Sequence, residues 1–308
     1  MNISNIGYKI ACIYYDDGNK SFLSLDINNI PRQTFSNNQP QSFQKPICEF
    51  CKKQYYSKWD LKIHQSKSCR SKQLVDLLNA QGIVYNNGMG FTNNFKLTSP
   101  GRLVPYPLNT REIIYIAGPA GSGKSHYASE YMKEYSKKYP RNNIFLFSRI
   151  EEDNVFTGIK KLKRINPEKL MENEDIDPKI TFSKSLCVFD DSEYMDQEVQ
   201  KKIESIKNDL IKHGRDQTDS KKDIYMIVTS HQSMNFRQSR DILNEATSIT
   251  FFPQSSIPYH IKRLLKVYCG LDNNTINDVI KLPSRWVSIY THYPQYVLTQ
   301  NECFLLCK

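Results

Sequence analysis

Apolar positions along this chain fall into short runs separated by polar, glycine- and proline-bearing stretches. The first two runs alternate. Tyr8 to Tyr15 and Phe22 to Ile27 flank Asp16-Asp17-Gly18-Asn19, a turn signal, and together predict a β-hairpin. Further along, the apolar runs become continuous. Ile113 to Ala117, Asn143 to Phe147, Leu186 to Phe189, Ile224 to Ser230 and Ser248 to Phe252 read as buried strands, with Ile180 to Phe182 as a short edge strand. Helical spacing marks two segments between them. His126 to Lys138 carries Tyr127, Tyr131 and Met132 among polar residues, and Glu198 to Lys212 carries Ile203, Ile206, Leu210 and Ile211. The tail offers a basic amphipathic run, Tyr259 to Tyr268, and two aromatic-rich strand candidates, Trp286 to Tyr290 and Gln295 to Leu298.

The intervening stretches divide the chain. Residues 31–46 are polar with prolines and read as a linker, which gives an N-terminal hairpin and linker over 1–46. Residues 73–110 hold a short helical run (Gln73 to Gln81) and a Gly/Asn-rich stretch, and read as a connector packed on the large domain, 111–308. Residues 150–178 are charged and read as an insertion or a helical excursion within that domain.

Charge sharpens this division. The chain of 308 residues has a formal net charge of +10, and its first 110 residues hold 13 Lys/Arg against 6 Asp/Glu. Positive charge concentrated at the front favours an acidic partner, most commonly nucleic acid, although solubility alone can also produce it. No apolar run is long enough to span a bilayer, and Met1 to Tyr8 lacks an apolar signal region. An intracellular, reducing setting is expected, not secretion. The eight cysteines then read as thiols and metal ligands, not as a disulfide framework.

Candidate chemistry sits at three places. Gly118-Pro119-Ala120-Gly121-Ser122-Gly123-Lys124-Ser125 fits G-x-x-x-x-G-K-[ST], and it lies between a predicted strand and a predicted helix. Such a turn points backbone N–H groups and the positive end of a helix dipole at an anion. Lys124 is expected to reach the β- and γ-phosphates of a nucleotide, and Ser125 to hold Mg²⁺. The second place is Asp190-Asp191, which ends the run Leu186 to Phe189 in the Walker B pattern. Asp190 is expected to hold Mg²⁺ through water and Asp191 to polarise an attacking water, with Glu193 in reserve. At the end of the next strand, His231-Gln232 follows Ser230, and Gln232 reads as a sensor of the γ-phosphate or of the lytic water.

The third place is Cys48-x2-Cys51-x12-His64-x4-Cys69. It resembles a ββα zinc finger of the Cys2His2 class over residues 47–72, with Cys69 in place of the second histidine. Zn²⁺ takes sulfur and nitrogen ligands tetrahedrally, and Tyr55 and Leu61 would form a miniature core under the metal. Lys45 to Lys72 holds eight Lys/Arg and two acids, suited to phosphate contact. By resemblance to fingers that read DNA, Ser57, Asp60 and Ile63 would face bases, whereas non-specific DNA contact and a protein–protein role stay open.

Taken in order, the phosphate loop, the Asp-Asp strand end, Gly214-Arg215 and Ser230-His231-Gln232 resemble the FtsK/HerA-superfamily DNA-packaging ATPases of large DNA viruses. These include the poxvirus type and relatives in giant viruses and virophages. The resemblance covers residues of about 111–300. It implies an α/β P-loop fold with an additional strand in a mostly parallel sheet, and ATP hydrolysis with Mg²⁺. It also implies a homo-oligomeric ring, usually a hexamer, that threads double-stranded DNA into a capsid through capsid or portal-like partners. The implied setting is host cytoplasm or viral factory, or the virion. Lys124, Ser125, Asp190, Asp191 and Gln232 carry over by position. Arg215 stands where viral relatives also show Gly-Arg and is a candidate arginine finger acting on a neighbouring subunit, with Arg237 and Arg240 competing. Two other readings use the same cradle. One is a P-loop nucleotide kinase, against which no Arg-rich lid segment follows Asp191. The other is a nucleotide-switched nucleic-acid-binding protein. No nuclease constellation stands out.

Overall fold

The computed structural model describes residues 2–4, 7–26, 83–86, 94–150, 153–172, 177–191, 196–215, 223–231 and 236–306. The expected zinc finger with Cys48, Cys51, His64 and Cys69, the linker before it and the Gln73 to Gln81 run lie outside the described residues, as do Glu193 and Gln232.

Near the N-terminus, β1 (Asn2–Ser4), β2 (Tyr8–Tyr15) and β3 (Lys20–Asp26) precede β4 (Ile83–Asn86), β5 (Asn94–Leu97) and β6 (Gly101–Pro105). The expected hairpin is the β2–β3 pair, with Tyr14 opposite Lys20. The antiparallel sheet β1-β3-β2-β6 is completed by β6 from the connector. Burial is continuous over Ile10 to Ile13 of β2 and Leu23 to Leu25 of β3, and Ile10, Ala11, Ile13, Leu23 and Leu25 join the core shared with the rest of the chain. At the rim of this sheet the Tyr14 hydroxyl meets Glu134, and Lys137 Nζ donates to it at 2.7 Å, both from the helix after the phosphate loop.

The remaining elements are β7 (Ile113–Ala117), α1 (Lys124–Lys138), β8 (Asn143–Phe147), β9 (Leu162–Ile165), α2 (Pro178–Thr181), β10 (Ser185–Phe189), α3 (Gln197–His213), β11 (Tyr225–Ser230), α4 (Phe236–Glu245), β12 (Ser248–Phe251), α5 (Pro258–Tyr268), α6 (Asn273–Ile280), β13 (Val287–Tyr290), β14 (Tyr296–Thr299) and β15 (Glu302–Leu305). Among the described residues these strands, with β4 and β5, form one sheet in the order β4-β5-β15-β14-β13-β12-β7-β11-β10-β8-β9. From β12 to β9 every neighbouring pair is parallel. From β12 outward to β4 every pair is antiparallel.

The continuous apolar runs reflect burial on both faces. In β7, Ile114 and Ile116 face a core shared with α1 and the N-terminal sheet. Ile113, Tyr115 and Ala117 face the opposite core, built with α3, α4, α5 and α6. Helix α1 buries Tyr127, Tyr131 and Tyr135 at four-residue spacing, each ending in a hydrogen bond that keeps its hydroxyl satisfied. Their partners are Ser288 Oγ at 2.7 Å, Glu112 Oε2 at 2.6 Å and Asn142 Nδ2 at 3.0 Å.

Two expectations are corrected. Ile180 to Phe182 is not a strand, because Asp177-Pro178 starts a helical turn there. The Asp177 carboxylate accepts from the backbone N of Lys179 at 2.9 Å and of Ile180 at 3.4 Å, and proline occupies the first helical position, where its missing N–H costs nothing. The charged 150–178 segment is neither a mere insertion nor a helix throughout. Its Leu162–Ile165 forms β9, which lies parallel to β8 at the sheet edge.

Candidate active site

Strand order sets the site. β11 lies between β7, which leads into the phosphate loop, and β10, which ends in Asp190-Asp191. All three run parallel, so their C-terminal ends share one edge of the sheet, where open α/β sheets bind ligands. Gly118 N donates to Ser230 O at 3.1 Å, which ties the start of the loop to the end of β11. The loop then turns through Gly121 at φ 73° and Gly123 at φ 110°, backbone that a Cβ would strain. A Cβ on Gly118 would lie 2.6 Å from Ser122 Oγ and 2.7 Å from Phe252 Cδ2. Pro119 and Ala120 cross the outer side of the loop, Ser122 is buried, and Gly123 passes the chain into α1.

Lys124 and Ser125 are the first residues of α1. The Lys124 side chain is buried in the loop, with Nζ donating to Pro119 O at 3.1 Å. Ser125 Oγ faces Asp190, 3.3 Å from Oδ2 and 3.5 Å from Oδ1. Asp190 is 3 % exposed. Burial raises its pKa, as does the neighbouring Asp191 carboxylate. Hydrogen bonds from Thr229 and Ser125 and the Lys124 charge pull the other way. Thr229 Oγ1 donates to Asp190 Oδ1 at 2.8 Å and accepts from Asp191 N at 3.0 Å, so one hydroxyl on β11 fixes both acids.

Asp191 has φ 50°, the left-handed region. Aspartate tolerates it better than most residues, yet it still costs on the order of 1 kcal/mol. The backbone bond to Thr229 and the side-chain bond to His231 hold it there. His231 Nε2 lies 2.7 Å from Asp191 Oδ1, and His231 Nδ1 lies 3.3 Å from Lys124 Nζ. An ammonium only donates, so Nδ1 accepts and the ring proton sits on Nε2, donating to Asp191. The lysine of the loop and the second acid of β10 are therefore joined through one imidazole.

The donor set fits Mg²⁺. Octahedral Mg²⁺ at about 2.1 Å keeps adjacent ligand oxygens about 3 Å apart, close to the Ser125–Asp190 separation. Among the described residues no group of three or more His, Cys, Asp or Glu could hold a metal ion. One hydroxyl and one buried carboxylate suit a cation held chiefly by substrate phosphates and water. When bound, that cation would supply charge neutralisation at the phosphates.

The structure thus brings together Gly118 to Ser125, Asp190 and Asp191. Arg215 is elsewhere. It follows α3 and precedes β11, at the end of that strand opposite the phosphate loop; five steps of strand span about 17 Å. Within one copy it does not reach the site. In the sequence His231 stands out only as the neighbour of Gln232, since its contacts with Lys124 and Asp191 need β7, β10 and β11 side by side. Arg285 is a second residue that the sequence does not point to. Its Nε and Nη2 would each lie 3.3 Å from a Cβ on Gly123, which places an exposed guanidinium beside the loop. A lone arginine before a strand carries no local signal.

No family model matches the chain. A protein of Sputnik virophage, described as uncharacterized protein V3, is 37% identical over 205 residues, which cover 65% of this chain and 80% of that protein. The chain belongs to the family of that V3 protein. Among solved structures, this V3-family chain is similar to the DNA-packaging ATPase B204 of Sulfolobus Turreted Icosahedral Virus, with 15% identity, a TM-score of 0.43, and coverage of 63% of this chain and 98% of that one. It is also similar to the genome packaging NTPase B204 of Sulfolobus turreted icosahedral virus 2 in complex with AMPPCP, with 12% identity, a TM-score of 0.40, and coverage of 62% and 97%. The pCW3 conjugation coupling protein TcpA shares 14% identity at a TM-score of 0.44, over 71% of this chain and 65% of that one.

Proposed function

We propose that this chain hydrolyses ATP with Mg²⁺ and uses the energy to move double-stranded DNA, as a packaging motor of the FtsK/HerA type. The observation that carries the reading is Ser125 facing the buried Asp190 while Lys124 and Asp191 meet through His231, all on one sheet edge. That arrangement suits a triphosphate whose terminal phosphate faces a carboxylate poised above water.

Backbone N–H groups of residues 118–125 cradle the β-phosphate, and the α1 dipole adds favourable potential. Lys124 exchanges Pro119 O and His231 for β- and γ-phosphate oxygens. Asp191, aimed by Thr229 and His231, accepts the proton of a water whose oxygen attacks the γ-phosphorus. The bond to the β–γ bridging oxygen breaks, and ADP and phosphate leave. Gln232 orients that water. Arg215, distant from the site in its own copy, serves the neighbouring copy in a ring of six, where it meets charge on the γ-phosphate. Cys48, Cys51, His64 and Cys69 bind Zn²⁺ in a finger that adds contacts to DNA, and the ring works at a capsid in the infected cell.

Phosphate release tests the reading. A rate that rises when duplex DNA is added supports the motor. Transfer of the γ-phosphate to a nucleoside monophosphate would replace it with a kinase.

A further inference from the structure

We infer that the groove between α5 and α6 is a contact surface for the phosphate backbone of duplex DNA, an inference that rests on the proposed motor reading. Between Glu245 and Asp272 the chain carries no acidic residue. Lys262, Arg263 and Lys266 of α5 line the groove with Tyr259, and α6 contributes Asn273 and Asn277 opposite them.

Position along α5 explains the arrangement. Ile261, Leu264 and Leu265 are buried in the core and fix the helix. The opposite face carries the cations, with Tyr259 64% and Val267 61% exposed beside them. Lys262 and Lys266 are one helical turn apart, about 6 Å along the axis, close to two of the about 3.4 Å axial steps between phosphates on one DNA strand. Among the described residues neither forms an ion pair. The nearest acid in sequence is occupied. The Asp272 carboxylate caps α6, accepting from Asn274 N at 2.8 Å, Thr275 N at 3.1 Å and Thr275 Oγ1 at 2.6 Å. Cationic stems, asparagine amides and an exposed tyrosine ring match a polyanion with sugar and phosphate oxygens. A small anion would need fewer charges and a more enclosed site. A neutral protein surface would not call for a wall of cations.

The test uses the full chain and a fluorescent 30-base-pair duplex, with anisotropy read over a salt series in the presence of a non-hydrolysable ATP analogue. The Lys262→Glu/Lys266→Glu variant is expected to bind at least about 10-fold more weakly. Its slope of log affinity against log salt should shrink by about two, one for each lost phosphate contact. Its phosphate release from ATP without DNA should equal that of the wild type, since both side chains are exposed and outside the nucleotide site. The same reversal at Lys160 and Lys179, exposed lysines elsewhere, should leave affinity within about twofold. Unchanged affinity and slope in the groove variant, or an equal loss in the control, would overturn the inference while leaving the motor reading intact. A wild-type chain that hydrolyses no ATP or binds no duplex would overturn the motor reading, and the groove assignment with it.

Discussion

His231 Nε2 lies 2.7 Å from Asp191 Oδ1, and the same ring turns Nδ1 toward Lys124 Nζ at 3.3 Å. In the proposed mechanism a group that contacts both Lys124 and the acid at the strand end responds to the arrival of a γ-phosphate, because Lys124 cannot serve Nδ1 and a phosphate oxygen equally well. His231→Ala removes the orientation of Asp191 but leaves the cradle. Turnover should fall about 10- to 100-fold, while the affinity for a non-hydrolysable ATP analogue changes less than about threefold. Single-turnover phosphate release and a binding titration, run side by side, separate the two effects. Loss of affinity to the same extent as turnover would make the residue structural.

Asp191→Asn keeps the size and hydrogen bonding of the side chain and removes its basicity. Nucleotide binding should persist and hydrolysis should drop by about 100-fold or more, since Asp190 and Ser125 still face each other across the proposed Mg²⁺ position. A variant with wild-type turnover would shift water activation to Glu193.

The parts of this architecture with strong local signals are legible in the sequence. Strands β7, β10 and β11 show as near-continuous apolar runs because both faces are covered, and α1 declares itself through Tyr127, Tyr131 and Met132. The glycine-rich loop is specified by backbone geometry at Gly121 and Gly123, which sequence displays directly. Elements held by tertiary context are not legible. Leu162-Lys163-Arg164-Ile165 has only partly buried ends with two exposed basic residues between them, and strand pairing with β8 sets its place. The turn at Pro178 escapes the apolar pattern because Ile180 is 76% exposed there, and the Asp177 cap decides the local structure instead. His231 and Arg285 acquire their places from strand order, which no local pattern encodes.

Glu112 supplies a pH test far from the chemistry. It is fully buried beside Tyr131, whose hydroxyl donates to Oε2 at 2.6 Å, as does Leu108 N at 2.6 Å. Burial raises its pKa from 4.5 to about 7, against the opposing pull of these bonds and of the Lys138 charge. A carboxyl raised in the folded state keeps its proton between those values while the unfolded chain loses it. Stability therefore falls as pH rises across that window, by at most about 3 kcal/mol, and flattens above it. Urea unfolding at pH 5 and pH 7.5 should show this slope in the wild type and a smaller one in Glu112→Gln. Equal slopes would remove Glu112 as the cause.

Among the described residues Cys12, Cys187, Cys269 and Cys303 are buried, and burial pushes the Cys187 thiol up to about 12, which leaves it inert at neutral pH. The zinc prediction rests on Cys48, Cys51, His64 and Cys69. Elemental analysis of freshly purified protein should find about one zinc per chain, lost in Cys51→Ser. Zinc-free wild-type protein would reject the site.

Calorimetric titration of the full chain with a non-hydrolysable ATP analogue probes the nucleotide site most directly. Saturable binding of one analogue per chain in Mg²⁺, weakened at least about 10-fold when Mg²⁺ is omitted and abolished by Lys124→Ala, is the predicted result. No binding to the wild-type chain, or binding indifferent to both Mg²⁺ and Lys124, would contradict the account.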